Sequence, residues 1–125
     1  MSRLRFPLVA LALSGALVAA GATHAAAHKV KVTKLYGKTG PGYEIKLTNY
    51  DFVRVKRLKP GLYTFVIQDR ATNHNFHLAG PGVNKSTSVR YLGTKTWKDV
   101  RLKKGTYKYW CDVHKSMMHG SFRVT

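Results

Sequence analysis

From about residue 28 onward the chain is a series of short apolar runs, broken by glycine, proline and asparagine, with no long stretch at helical spacing. Residues 28–36 alternate, placing Val30 and Val32 on one side. Residues 43–48 place Tyr43, Ile45 and Leu47 on one face. Successive side chains of a strand point to opposite faces, so this period of two predicts half-buried strands. Residues 62–68, LYTFVIQ, are apolar on both faces, which suits a central strand covered on both sides. Further strand-like runs follow at 75–78, 86–92, 96–102, 106–111 and 121–125. The breaks fall at Gly37, the Gly40–Pro41–Gly42 stretch, Pro60–Gly61, the Gly80–Pro81–Gly82 stretch, Gly93 and Gly105. Seven to eight short strands at this spacing predict an all-β fold, a Greek-key β-sandwich.

The pattern is different before residue 28. Arg3 and Arg5 precede an apolar run from Leu8 to about Gly21, followed by small residues. That layout predicts a secretory signal peptide over 1–27, cleaved after Ala25 or Ala27, and a single domain over 28–125. The run is short of the roughly 20 residues of a membrane span, so no stable span is expected after cleavage. The protein is therefore expected to be exported, to the periplasm or outside the cell.

Export changes how charge and cysteine are read. The chain has 22 Lys and Arg against 5 Asp and Glu; without Arg3 and Arg5 the count is 20 against 5, or +15. A basic chain usually suggests nucleic acid, but an exported protein seldom meets it. An acidic redox protein or an anionic surface is the expected partner. The single cysteine, Cys111, forbids an internal disulfide. Outside the cell a lone thiol is open to oxidation, so it is expected either to be buried and inert or to bind a metal.

Its neighbours favour the metal. Residues 109–124 read YWCDVHKSMMHGSFRV, placing Cys111, His114, Met117, Met118 and His119 within nine positions. A site that serves both Cu(I) and Cu(II) needs soft sulfur and borderline imidazole together. Two histidines and a cysteine in a plane, with a weak axial methionine, meet that need. Cys111, His114 and one methionine can come from one tight loop. The second histidine must come from elsewhere, and DRATNHNFHLAGPG at 69–82 offers His74 or His77. The two are three residues apart, so in an extended strand they face opposite sides. Separately, cleavage after Ala27 would make His28 the new N-terminus, and an N-terminal histidine can chelate copper, but His28 has no obvious partner in the sequence.

Cys111-x-x-His114, a methionine soon after, Gly120 beyond it and Tyr107-x-Tyr109 before it together resemble the copper loop of the small blue-copper cupredoxins, plastocyanin and amicyanin among them. His74–Asn75 is similar to their upstream His-Asn pair. The resemblance runs from about Val30 to Thr125. It implies one copper ion in a type 1 site, with His74, Cys111 and His114 as equatorial ligands. It also implies that Asn75 pins the ligand loop to the neighbouring strand. Gly120 matches the family's glycine two residues after the axial methionine, which selects Met118; the shorter His-x-x-Met spacing of some members selects Met117. Val113 stands where relatives often carry proline.

The resemblance implies a carrier that shuttles single electrons. The alternative is a copper scavenger or chaperone, with Met117, Met118 and His119 as a soft, exposed neighbourhood. An enzyme is not expected: the remaining histidines show no clustered pair for a second copper centre, and no oxyanion-loop pattern accompanies Cys111 for hydrolysis.

Overall fold

The computed structural model describes residues 31–125 continuously, with 15, 16, 20–23, 25–27 and 29 before them. Most of the expected signal segment lies outside the described residues, as do His28 and Val30. Among the described residues there are nine strands and no helix: β1 (Thr33–Thr39), β2 (Ile45–Thr48), β3 (Arg57–Leu58), β4 (Gly61–Asp69), β5 (His77–Gly80), β6 (Val83–Ser86), β7 (Gly93–Leu102), β8 (Gly105–Trp110) and β9 (His119–Val124). They form two mixed sheets, ordered β2-β1-β4-β7 and β3-β9-β8-β5-β6. Parallel pairing is confined to β1 with β4 and β3 with β9.

The apolar face of each sheet turns inward. Leu35, Leu47, Phe65 and Ile67 from one sheet meet Leu78, Tyr107, Tyr109 and Phe122 from the other, all essentially without solvent contact. Two parallel ring stacks run through this layer, Phe76 on Tyr109 at 5.4 Å and Tyr107 on Phe122 at 5.3 Å. Each tyrosine ring lies against a glycine of the adjacent strand. A Cβ at Gly80 would stand 2.3 Å from Tyr107, and one at Gly120 would stand 2.3 Å from Tyr109. Any side chain there would push a core ring aside, so glycine is required for packing.

The strand count exceeds seven or eight because two short elements carry little pattern. β3 is only two residues long, and β6 is three-quarters exposed. The strand expected over 86–92 is not formed beyond Ser86. There the chain leaves the sheet: Thr87 N–H donates to the distant Phe76 C=O at 3.0 Å, and Tyr91 N–H donates to the nearby Ser88 C=O at 3.0 Å. Tyr43, expected inside a strand, precedes β2 and stands outside the core.

Candidate metal centre

Three connections meet at one end of the sandwich. The β1–β2 turn carries Tyr43, the β4–β5 connection carries His74, and the β8–β9 connection carries Cys111 and His114. The last is a closed loop. Its base is fixed by Cys111 N–H donating to Met118 C=O at 3.0 Å. Its interior is wound by N–H donation from His114 to Cys111 C=O, and from Met117 and Met118 to His114 C=O. Below the base, Trp110 pairs with His119 in the β8–β9 ladder.

The winding brings His74 Nδ1 and His114 Nδ1 to 3.0 Å from each other and each to 3.8 Å from Cys111 Sγ. Cys111 and His74 are buried and His114 is half-buried. Two ring nitrogens at 3.0 Å must share either a proton or a cation between them. A soft sulfur converging on the same point favours a thiophilic ion. The donor set thus fits copper. The backbone N–H of Asn75 donates to Sγ at 3.4 Å, fixing the sulfur from behind. Tyr43, 65% exposed, sets its ring edge-on to both imidazoles, at 5.7 Å from His74 and 5.0 Å from His114.

The methionines divide. Met118 is fully buried, whereas Met117 is 59% exposed. Adjacent side chains on this loop therefore face opposite ways, and Met118 is the one turned inward. If the site holds copper with Met118 among its ligands, Met118→Leu is expected to keep the visible band and raise the redox potential, because a thioether donor would be replaced by hydrocarbon. Met117→Leu is expected to leave the potential close to wild type. Voltammetry of the two variants checks this; the larger shift in Met117→Leu would assign the axial role to Met117.

His77 points away from the cluster. Its Nδ1 pairs with Asp112 Oδ1 at 2.9 Å, its Nε2 with Asn84, and its ring lies 4.4 Å from that of Trp110. His119 is exposed and its Nδ1 meets the Lys115 carbonyl at 2.9 Å.

Asn75 is the hub that ties the two ligand-bearing segments. Its Nδ2 donates to Thr87 C=O at 3.1 Å and to Asp112 Oδ2 at 2.7 Å, and its Oδ1 accepts Asp112 N–H at 2.7 Å. Asp112 Oδ1 also accepts from Trp110 Nε1 at 2.7 Å. Burial pushes the Asp112 carboxyl up, but hydrogen bonds from Asn75, His77 and Trp110 outweigh it and hold it below the ordinary value. Asp112 gave no signal in the sequence beyond its place beside Cys111. Its role depends on partners 35 and 37 residues away.

A second network supports the His74 segment from beneath. Thr87 Oγ1 accepts Phe76 N–H at 2.9 Å and donates to the buried Asp69 Oδ2 at 2.8 Å. Burial pushes the Asp69 carboxyl above its ordinary value, against the lowering effect of the Thr87 and Ala71 hydrogen bonds and of His74. The native state therefore holds this proton more tightly than the unfolded chain does. The associated stability is complete below the unfolded value, near 3.8, and is lost as pH rises through the higher native one. Asp69→Asn keeps the acceptor for Thr87 and removes the titration. Its unfolding temperature relative to wild type is expected to climb with pH across that window. A difference that stays flat would place the titration elsewhere.

Two packed sheets, with a buried cysteine and two histidines converging at one end, make an all-β sandwich with a candidate metal centre. The chain is similar to a solution structure of reduced rusticyanin, with a TM-score of 0.47 and 16% sequence identity over 74% of this chain and 76% of that chain. No family model and no curated protein matches the chain.

Proposed function

We propose that the chain is an exported type 1 copper protein that carries single electrons, with His74, Cys111, His114 and Met118 holding one copper ion. The observation that carries this reading is the convergence of one thiol sulfur and two Nδ1 atoms within 4.8 Å of one another at a buried end of the fold. A bound copper supplies the one-electron Cu(I)/Cu(II) couple. The protein supplies the rest. Asn75 fixes the loop from both its backbone and its side chain, so the donors keep one arrangement and little rearrangement accompanies a change of charge. Tyr43 shields both imidazoles from water. The half-buried edge of His114 is the exit for the electron, as the resemblance implies. The +15 surface favours an acidic redox protein as partner through long-range attraction. Most of the proposed signal segment lies outside the described residues.

Adding Cu(II) to the purified protein tests the reading. The expected outcome is an intense visible band saturating at one copper per chain. A colourless complex, or saturation at two ions, would refute it. The exposed Met117 on the loop and the exposed His119 at the start of β9 favour copper delivery as the second reading. Rapid copper exchange to a competing chelator is its signature, and slow exchange with a stable potential that of a carrier.

A further inference from the structure

The connection between β2 and β3 is built around a feature the metal centre does not use. Asn49 closes a tight turn: its N–H donates to Val53 C=O at 2.9 Å, its carbonyl accepts Phe52 N–H at 3.2 Å, and its Oδ1 accepts Val53 N–H at 3.0 Å. Thr48 and Arg54 bridge below it. The turn is therefore held from four sides, yet it displays rings to solvent. Phe52 is 86% exposed and Tyr50 78% exposed, with Val53 exposed beside them. Phe52 also has φ of 60°, the left-handed region, which is a genuine outlier for a bulky side chain. Glycine or asparagine would take that conformation without strain, so what phenylalanine contributes there is its ring, and the ring faces water.

The surroundings are basic. Phe52 borders a depression on the outer face of the four-stranded sheet, shared with Tyr36, Val66, Lys38, Lys46 and Arg70. Of the three cations, Lys38 is paired with Glu44 at 2.8 Å; Lys46 and Arg70 have no ion pair among the described residues. The chain that leaves the turn adds Arg54, Lys56, Arg57 and Lys59, all exposed. Asp51, between the two rings, is the one acid of the turn.

We propose that this turn docks the protein on an anionic phospholipid surface, with Tyr50 and Phe52 seated at headgroup depth and Lys46, Arg70 and the following basic run meeting lipid phosphates. Aromatic rings of this kind partition to the bilayer interface, and basic residues beside them gain from the negative surface potential. Asp51 keeps the tip from the acyl region. A projecting tip of three apolar residues needs no shape-matched partner, whereas a standard protein interface draws on roughly 20–30 residues a side. The proposal is independent of copper.

The test is sedimentation with vesicles, using the protein as exported and its N-terminus read by mass spectrometry. Vesicles are phosphatidylcholine alone or an equimolar mixture with phosphatidylglycerol. Wild type is expected to bind the mixed vesicles at least about tenfold more tightly than the neutral ones at low salt. The charge-neutral double change Tyr50→Ser with Phe52→Gly is expected to weaken mixed-vesicle binding by about fivefold or more. Leu92→Ser, at a 62% exposed site in the β6–β7 connection, is expected to stay within about twofold of wild type. Phe52→Gly relieves the backbone, so its unfolding temperature should not fall, and Tyr50→Ser alone supplies a second variant. Equal binding to both vesicle types, or a double variant that binds like wild type, overturns the proposal. So does a double variant that loses retention on immobilised polyglutamate by the same factor, since that outcome assigns the turn to an acidic protein.

Discussion

Cys111→Ser is expected to abolish the visible copper band and to lower copper affinity by well over the roughly 10–100-fold that an outer-shell change costs, while leaving the sandwich folded. The thiol sulfur is fully buried, 3.8 Å from each imidazole nitrogen, and accepts the Asn75 N–H at 3.4 Å. Serine fits the same space, but its shorter C–O bond draws the oxygen back from the Asn75 N–H, so apo stability should fall by about 1–3 kcal/mol and leave the sandwich folded. The soft donor is gone, however, and a hydroxyl oxygen is a poor substitute for sulfur toward copper. The visible spectrum and a chelator competition report the site, and thermal unfolding of the apo protein reports the fold. A Cys111→Ser protein that keeps its full colour removes Cys111 from the ligand set.

Asn75→Leu should injure both the fold and the site. Leucine matches asparagine in approximate size but makes none of its three side-chain hydrogen bonds. The buried Thr87 carbonyl loses its Nδ2 donor, the Asp112 N–H loses its acceptor, and the Asp112 carboxylate loses one donor. Each buried group left unpaired costs about 1–3 kcal/mol, and Asp112 regains part of its loss from water. A net cost of about 2–4 kcal/mol follows, or an unfolding temperature lower by about 10–25 °C for a domain of this size. Copper affinity should fall about 10–100-fold, because the loop no longer holds Cys111 against the His74 segment. An apo protein that melts within a few degrees of wild type would show that the loop holds its shape without Asn75.

The sandwich was legible because both of its codes are local. Period-two alternation at Ile45 and Leu47, or the two-sided apolar run over 62–68, needs only neighbouring residues to be read. Glycine and proline mark the ends of those runs. The loop chemistry was legible for the same reason, since Cys111, His114 and both methionines fall within eight positions. What escaped is set by partners far along the chain. Residues 86–92 have strand-like composition, but Thr87 is drawn off by Phe76, Asn75 and Asp69, and the strand ends at Ser86. Tyr43 alternates correctly with Ile45 and Leu47, yet its ring goes to two histidines that arrive from residues 74 and 114. Asp112 is unremarkable in sequence and His77 stood out only as a rival to His74; the β5–β8 register, which sets His77 opposite Trp110, brings the two together.

The proposed donor set is divided unevenly along the chain: three of its members lie on one short loop, and His74 stands 37 residues from Cys111. On the copper reading, the loop can grip a metal whenever β8 and β9 are zipped, but His74 reaches it only once the β4–β5 connection has settled against that hairpin. Hue thus becomes an optical gauge of long-range assembly. During refolding with copper present, absorption should rise with the slowest packing step rather than with strand formation. A core lesion remote from the metal, at Phe65 or Ile67 for example, should announce itself as fading colour before the circular dichroism of the strands is lost.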